Sequence, residues 1–173
     1  DPRNVISSIN NHYHHIDLEF SKNFIFDEKK GIMKKSKFDI NSDYALPQII
    51  GSWKTHYNSW KNMKKNYLLV KYEDLITDPL NGFSKISKFI SQNLKLKFSE
   101  EQILNAIKLS SFNNLEKMEK TYGFTESSTN TDGSKNKFFY LGPRNNWETI
   151  LDKDIIDEIN REFEIEMKEL KYL

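Results

Sequence analysis

The 173-residue chain contains no cysteine, six glycines, four prolines and only three arginines among its 26 basic residues. Without cysteine there is no disulfide framework, no thiolate metal site and no cysteine nucleophile. No apolar run approaches the length of a membrane-spanning helix, which excludes an integral membrane protein built on such helices. Strong charge of one sign is missing as well: 26 Lys and Arg set against 25 Asp and Glu leave a formal charge of +1. That balance argues against a nucleic-acid binder driven by a basic field. None of the 18 Asn residues falls in a glycosylation sequon, and no signal-peptide pattern occurs. The expectation is a soluble, reduced, cytoplasmic protein forming a single domain over residues 1–173.

What the chain does contain is uneven. Lys, Asn and Ile dominate, so each of Arg3, Arg144 and Arg161 marks a place where a planar guanidinium fork is wanted. Residues 148–173 carry nine acids and four bases, leaving a net +6 on residues 1–147. The chain opens on Asp1-Pro2-Arg3 with an amphipathic segment beginning at once, and we expect a fragment of a longer fold.

Apolar residues recur at helical spacing over 4–20, 47–65, 79–94, 99–107 and 152–170, which predicts five helices. Pro79 suits the first turn of the third, and Ser99 is a plausible N-cap for the fourth. Tyr67-Leu68-Leu69-Val70 is short and uniformly apolar and reads as a buried strand of parallel type. Residues 21–46 and 121–137 show no sustained period and read as irregular connections, the second rich in Ser, Thr, Asn and Gly. Helices around at least one buried strand imply an α/β layer fold with much of its sheet missing from this chain.

Three clusters carry candidate chemistry. Asp1-Pro2-Arg3-Asn4-Val5-Ile6-Ser7-Ser8 offers helix-start N–H groups, a guanidinium and hydroxyls to an anion. Tyr67 to Leu75 would place Tyr72, Glu73 and Asp74 at the carboxyl end of a strand, where α/β proteins bind ligands. Phe138 to Trp147 contains Gly142, which admits a close backbone approach, and Arg144, which supplies a phosphate fork. Each has a plainer reading: a capped surface helix, a charged turn, and a Gly-Pro turn with an exposed Arg. His12, His14 and His15 crowd one stretch, where solvated imidazoles are expected over a metal set. The Lys34 to Lys37 and Lys61 to Lys65 runs read as solvated faces.

In this order and at these separations the clusters resemble the cytosolic-type sulfotransferase family. Pro2, Val5 and Ser8 match that family's 3′-phosphate segment, with Arg3 in place of its Lys and Asn4 in place of its Asp. Gly51-Ser52-Trp53 with Trp60 resembles its Gly-Ser-Trp helix, and Tyr72-Glu73-Asp74-Leu75 with Asp78-Pro79 its Tyr-Glu-Asp strand and following helix. Ser110-Ser111-Phe112 resembles the Thr-Ser-Phe segment beside the adenine, and Gly142 and Trp147 match the Gly loop that closes on a Trp. Tyr140 and Leu141 stand where that loop carries an Arg-Lys pair, and Asn145 replaces its second Gly.

The resemblance implies the C-terminal, helix-rich part of a three-layer α/β fold with a parallel sheet, related to P-loop nucleotide kinases. It implies transfer of a sulfuryl group from 3′-phosphoadenosine 5′-phosphosulfate to the hydroxyl or amine of a small-molecule acceptor, with no metal, nucleic acid or membrane involved. Cofactor contacts map to Ser8, Tyr72, Ser110, Phe112, Tyr140, Gly142 and Arg144; the catalytic segment of the family has no counterpart among the 173 residues, so no catalytic residue is assigned. The acceptor pocket is expected to involve residues 21–46 and 121–137. Three other readings remain open at this point: a nucleotide kinase of the same broad fold, a non-catalytic nucleotide-binding relative, and a helical interaction module. Acceptor identity and oligomeric state are not legible.

Overall fold

The computed structural model describes residues 1–15, 17–32, 48–63, 66–130 and 132–173. The Lys34 to Lys37 run and most of the expected connection 21–46 lie outside the described residues, as do Lys64 and Lys65. The chain divides into two compact units, residues 1–62 with 146–173, and residues 63–145.

The first unit holds the core. Helix α1 (Pro2–His12) starts on Pro2 behind Asp1, whose carboxylate caps the Arg3 N–H. The periodicity over 4–20 suggested one helix; the chain instead turns at His14 and His15, both at positive φ, and restarts at Asp17. Asp17 accepts the Phe20 N–H and caps α2 (Leu18–Phe26), so part of the connection expected at 21–46 is helical. Strands β1 (Gly31–Ile32) and β2 (Gln48–Ile49) form a two-residue antiparallel pair. Gly51 then leads to Ser52, which caps α3 (Trp53–Lys61).

The C-terminal stretch was expected to be one helix over 152–170. It is two, α8 (Lys153–Glu162) and α9 (Glu164–Glu169), separated at Phe163. The break is one residue deep, because Phe163 still donates to the Ile159 carbonyl and accepts from Met167. Phe163 is fully buried, its ring 5.1 Å from Phe26 and 5.2 Å from Trp53. Around it pack Ile6, Ile25, Leu151, Ile155, Ile159 and Met167.

Polar links tie the helices of this unit together. Lys54 meets Glu162 at 2.5 Å, Asn58 meets Glu166 at 2.8 Å and Lys61 meets Glu169 at 2.6 Å, each pair 108 residues apart. A constant offset at helical spacing means α3 runs alongside the C-terminal helices in the same direction. The stem of Lys22 is buried, and its ammonium reaches Glu19 at 2.6 Å and Glu158 at 2.5 Å, joining α2 to α8.

The second unit is helical. Residues 67–70 are not a strand, and among the described residues they join no sheet. A strand is stabilised by its neighbours' hydrogen bonds, and an apolar run without them has no reason to be assigned one. Tyr72, expected at a strand end, opens the short helix α4 (Tyr72–Thr77), whose first turn carries Glu73 and Asp74 where the helix dipole favours acids. Helix α5 (Pro79–Leu94) has the predicted bounds and is capped by Asp78. Helix α6 (Glu100–Leu109) begins with a full capping box between Ser99 and Gln102. Helix α7 (Phe112–Tyr122) follows after two residues and was not foreseen as a helix. The four pack in chain order, α4 on α5, α5 on α6 and α6 on α7.

Candidate functional site

Five of the seven expected cofactor residues sit near the ends of α6 and α7 or in the segment that returns past α7. Ser110 is the C-cap that follows α6, and its hydroxyl donates to the Ala106 carbonyl at 2.8 Å, leaving lone pairs to accept from a ligand. Phe112 is the first residue of α7 and half-buried. Gly142 begins a 3-10 turn (Gly142–Arg144) at φ +54, and a Cβ there would lie 2.2 Å from the Phe112 ring. The close approach foreseen at Gly142 is therefore an approach to Phe112, which fills the space a side chain would need.

Tyr140 and Arg144 flank this junction. Both are exposed, and the Arg144 guanidinium points back to the Tyr140 carbonyl at 3.5 Å. Its charge is felt by Glu116 of α7, which is held below the ordinary carboxylate range first by Lys137 and then by Arg144. Tyr72 lies on α4 with 53% of its surface exposed; burial of the remainder, helped by the Glu73 charge, raises its phenol. Ser8 belongs to the other unit, on the exposed side of α1, while its neighbour Ser7 is buried and bonds to the Asn4 carbonyl at 3.0 Å. The structure thus brings Phe112, Tyr140, Gly142 and Arg144 together within one unit, with Ser110 two residues before Phe112.

Two structural roles were not read from the sequence. Glu119 of α7 accepts the N–H groups of Phe138 at 2.6 Å and Phe139 at 3.0 Å, and the Ser127 hydroxyl at 2.8 Å. Burial works to raise its carboxyl, but these three donors outweigh burial and hold it below the ordinary value. The clasp fixes the segment that carries Tyr140 and Gly142, together with rings of Phe124, Phe138 and Phe139 at centroid distances of 4.7 to 5.3 Å. Beside it, the 121–137 connection and α7 enclose a cavity of about 640 Å³ lined by Lys117, Lys120, Phe124, Lys135 and Lys137, among others.

The second is Arg3. Placed by resemblance in the 3′-phosphate segment, it is 5% exposed, and four of its five guanidinium N–H groups are hydrogen-bonded. Its fork meets the Asp1 carboxylate at 2.9 and 2.6 Å, Asn160 at 3.3 Å and the Tyr172 carbonyl at 2.9 Å. Its face lies 3.9 Å from the centre of the Trp147 ring. The scarcity of Arg was the available signal for this position. His12, His14 and His15 are exposed, and among the described residues no three ligating side chains converge as a metal set would.

This helical α/β chain belongs to the sulfotransferase domain family, whose family model matches residues 1–171. It is 36% identical over 100 residues to the 3-alpha-hydroxysteroid sulfotransferase of Cavia porcellus, covering 52% of this chain and 35% of that protein. It is 34% identical over 98 residues to sulfotransferase 2A6 of Rattus norvegicus, covering 51% of this chain and 34% of the relative. The crystal structure of mouse sulfotransferase SULT7A1 complexed with PAP superposes with a TM-score of 0.63 at 14% identity, over 96% of this chain and 55% of that one. The fold is therefore that of a sulfotransferase, and the aligned part spans about a third of the length of these curated relatives.

Proposed function

We propose that this chain is the nucleotide-recognising part of a cytoplasmic sulfotransferase that moves a sulfuryl group from 3′-phosphoadenosine 5′-phosphosulfate to the hydroxyl or amine of a small-molecule acceptor. The observation that carries this reading is the family match over residues 1–171, a span that includes all seven expected cofactor residues. The solved neighbour, whose complex contains PAP, supports the choice of nucleotide.

The residues fit such a ligand chemically. Tyr72 and Phe112 offer aromatic faces to a purine, and Ser110 has lone pairs for an exocyclic N–H. Arg144 offers an exposed fork and Ser8 an exposed hydroxyl to the 3′-phosphate. Gly142 supplies backbone beside Phe112, and Tyr140 beside Arg144. The bound nucleotide would supply the sulfuryl donor, the acceptor oxygen or nitrogen displacing the bisphosphate at sulfur in line, as in phosphoryl transfer. This chain's share is to bind and orient the nucleotide, and the base that takes the acceptor's proton is not assigned to it. The unpaired apolar run Tyr67–Val70 would join a parallel sheet of the three-layer P-loop-type fold, in a single domain that includes residues 1–173.

Calorimetric titration tests the reading. The chain should bind adenosine 3′,5′-bisphosphate at least about tenfold more tightly than 5′-AMP, a difference of roughly 1.4 kcal/mol. Arg144→Ala should weaken the bisphosphate far more than 5′-AMP, whereas Tyr72→Ala should weaken both alike. Equal affinity of the native chain for the two ligands, or equal loss on Arg144→Ala, would count against the 3′-phosphate assignment. The replacement of the family's Arg-Lys pair by Tyr140-Leu141 favours a second reading, a relative that binds nucleotide without catalysis. That reading predicts the same preference for bisphosphate and no sulfuryl transfer when the protein is assayed with the sulfate donor and phenolic or steroidal alcohols.

A further inference from the structure

The nucleotide reading above is the premise for a role that Arg3 plays without touching the ligand. A guanidinium has five N–H donors, and at Arg3 the Nε and both terminal nitrogens are directed at Asp1, Asn160 and the Tyr172 carbonyl. Four of the five donors are used and the face lies against Trp147, so no open edge of the fork remains for two-pronged binding of a phosphate. The next residue repeats the tether: Asn4 Oδ1 accepts the Trp147 N–H at 3.0 Å. The first turn of α1 is thereby fixed to α8, to the C-terminal Tyr172 and to Trp147, which follows Arg144 by three residues. Ser8 lies on the same helix five residues on, about 7.5 Å along the axis at 1.5 Å per residue. Over so short a lever, the tilt and rotation set at Arg3 decide where the Ser8 hydroxyl stands. A Lys has three donors on one nitrogen but no planar fork or face, so it could not reproduce the two-pronged Asp1 contact together with the stacking on Trp147.

We propose that Arg3 is a positioning residue for 3′-phosphate recognition, locking the Ser8-bearing helix to Trp147 and α8. A purely stabilising role would lower the denaturation midpoint and leave ligand discrimination alone. A positioning role changes the discrimination itself.

The experiment compares Arg3→Lys, Arg3→Gln and Asn160→Ala in the full chain, each titrated with adenosine 3′,5′-bisphosphate and with 5′-AMP after circular dichroism shows native helix content. The Arg3 variants should lose bisphosphate affinity by about tenfold or more, the scale of a displaced binding group, with 5′-AMP affinity essentially unchanged. Asn160→Ala removes one contact and should shift the ratio the same way by less. If both Arg3 variants fail to fold, Asn160→Ala decides alone. An unchanged bisphosphate-to-AMP ratio in folded variants would overturn the positioning role while leaving the nucleotide reading intact. A native chain with no preference for the bisphosphate would overturn the nucleotide reading and this role with it.

Discussion

Gly142 shows how much a single residue can settle. It sits at φ +54, where a side chain is strained, and the volume its Cβ would occupy already holds the Phe112 ring. Gly142→Ala therefore combines a backbone penalty with overpacking and should destabilise the chain by about 1–3 kcal/mol in denaturant unfolding. Phe112→Ala would empty that space, so the double variant should lose much less than the two single losses added together. Additive losses would show that the two residues do not share the space. That Gly142 matters was legible in the sequence from its place in a Gly-Pro-Arg turn. What it approaches was not, because Phe112 is 30 residues away in the chain and only folding puts its ring there. Arg3 is a related case: the sequence shows a cation near a helix start, but not that Asp1, Asn160, Trp147 and Tyr172 engage it.

Among the helices, those with explicit start signals were legible and those shaped by packing were not. Ser99 with Gln102, and Asp78 with Pro79, define α6 and α5 through local hydrogen bonds that the sequence spells out. The break at Phe163 has no Gly or Pro to announce it, and the α1–α2 break depends on two His residues at positive φ. Helix α7 was hidden behind its motif, yet it carries Glu119, whose clasp holds the 138–139 segment. Because the donors depress the folded carboxyl below 4.5, the stabilisation they give is complete above that value. It is lost as acid carries the solution down through the lower folded value. Glu119→Gln should lower the thermal midpoint near neutral pH and have little effect in strong acid, where the native Glu119 is itself protonated. Equal destabilisation at both pH values would remove the carboxylate charge from the clasp.

Across the whole molecule, burial is divided unequally. Every buried hydrophobic residue among the described ones belongs to the unit formed by residues 1–62 and 146–173. In residues 63–145, Leu80, Leu94, Leu104 and Leu109 keep 44 to 65% of their surface exposed. Local stability follows buried apolar contact, so amide hydrogen exchange should be slowest in α1 and α8 and markedly faster throughout α5 to α7. Equal protection in both units would contradict this distribution.

By itself the sequence determined helices α5 and α6 with their side-chain caps, the family resemblance and the residue types expected at a nucleotide site, because each depends on neighbours within a few positions. Only the tertiary structure shows that Tyr67–Val70 joins no sheet among the described residues, that Gly142 closes over Phe112, and that Arg3 is engaged by Asp1, Asn160, Trp147 and Tyr172. Those outcomes depend on which distant groups reach a residue first, and a hydrogen bond or a van der Waals contact, once made, removes that group from any other task.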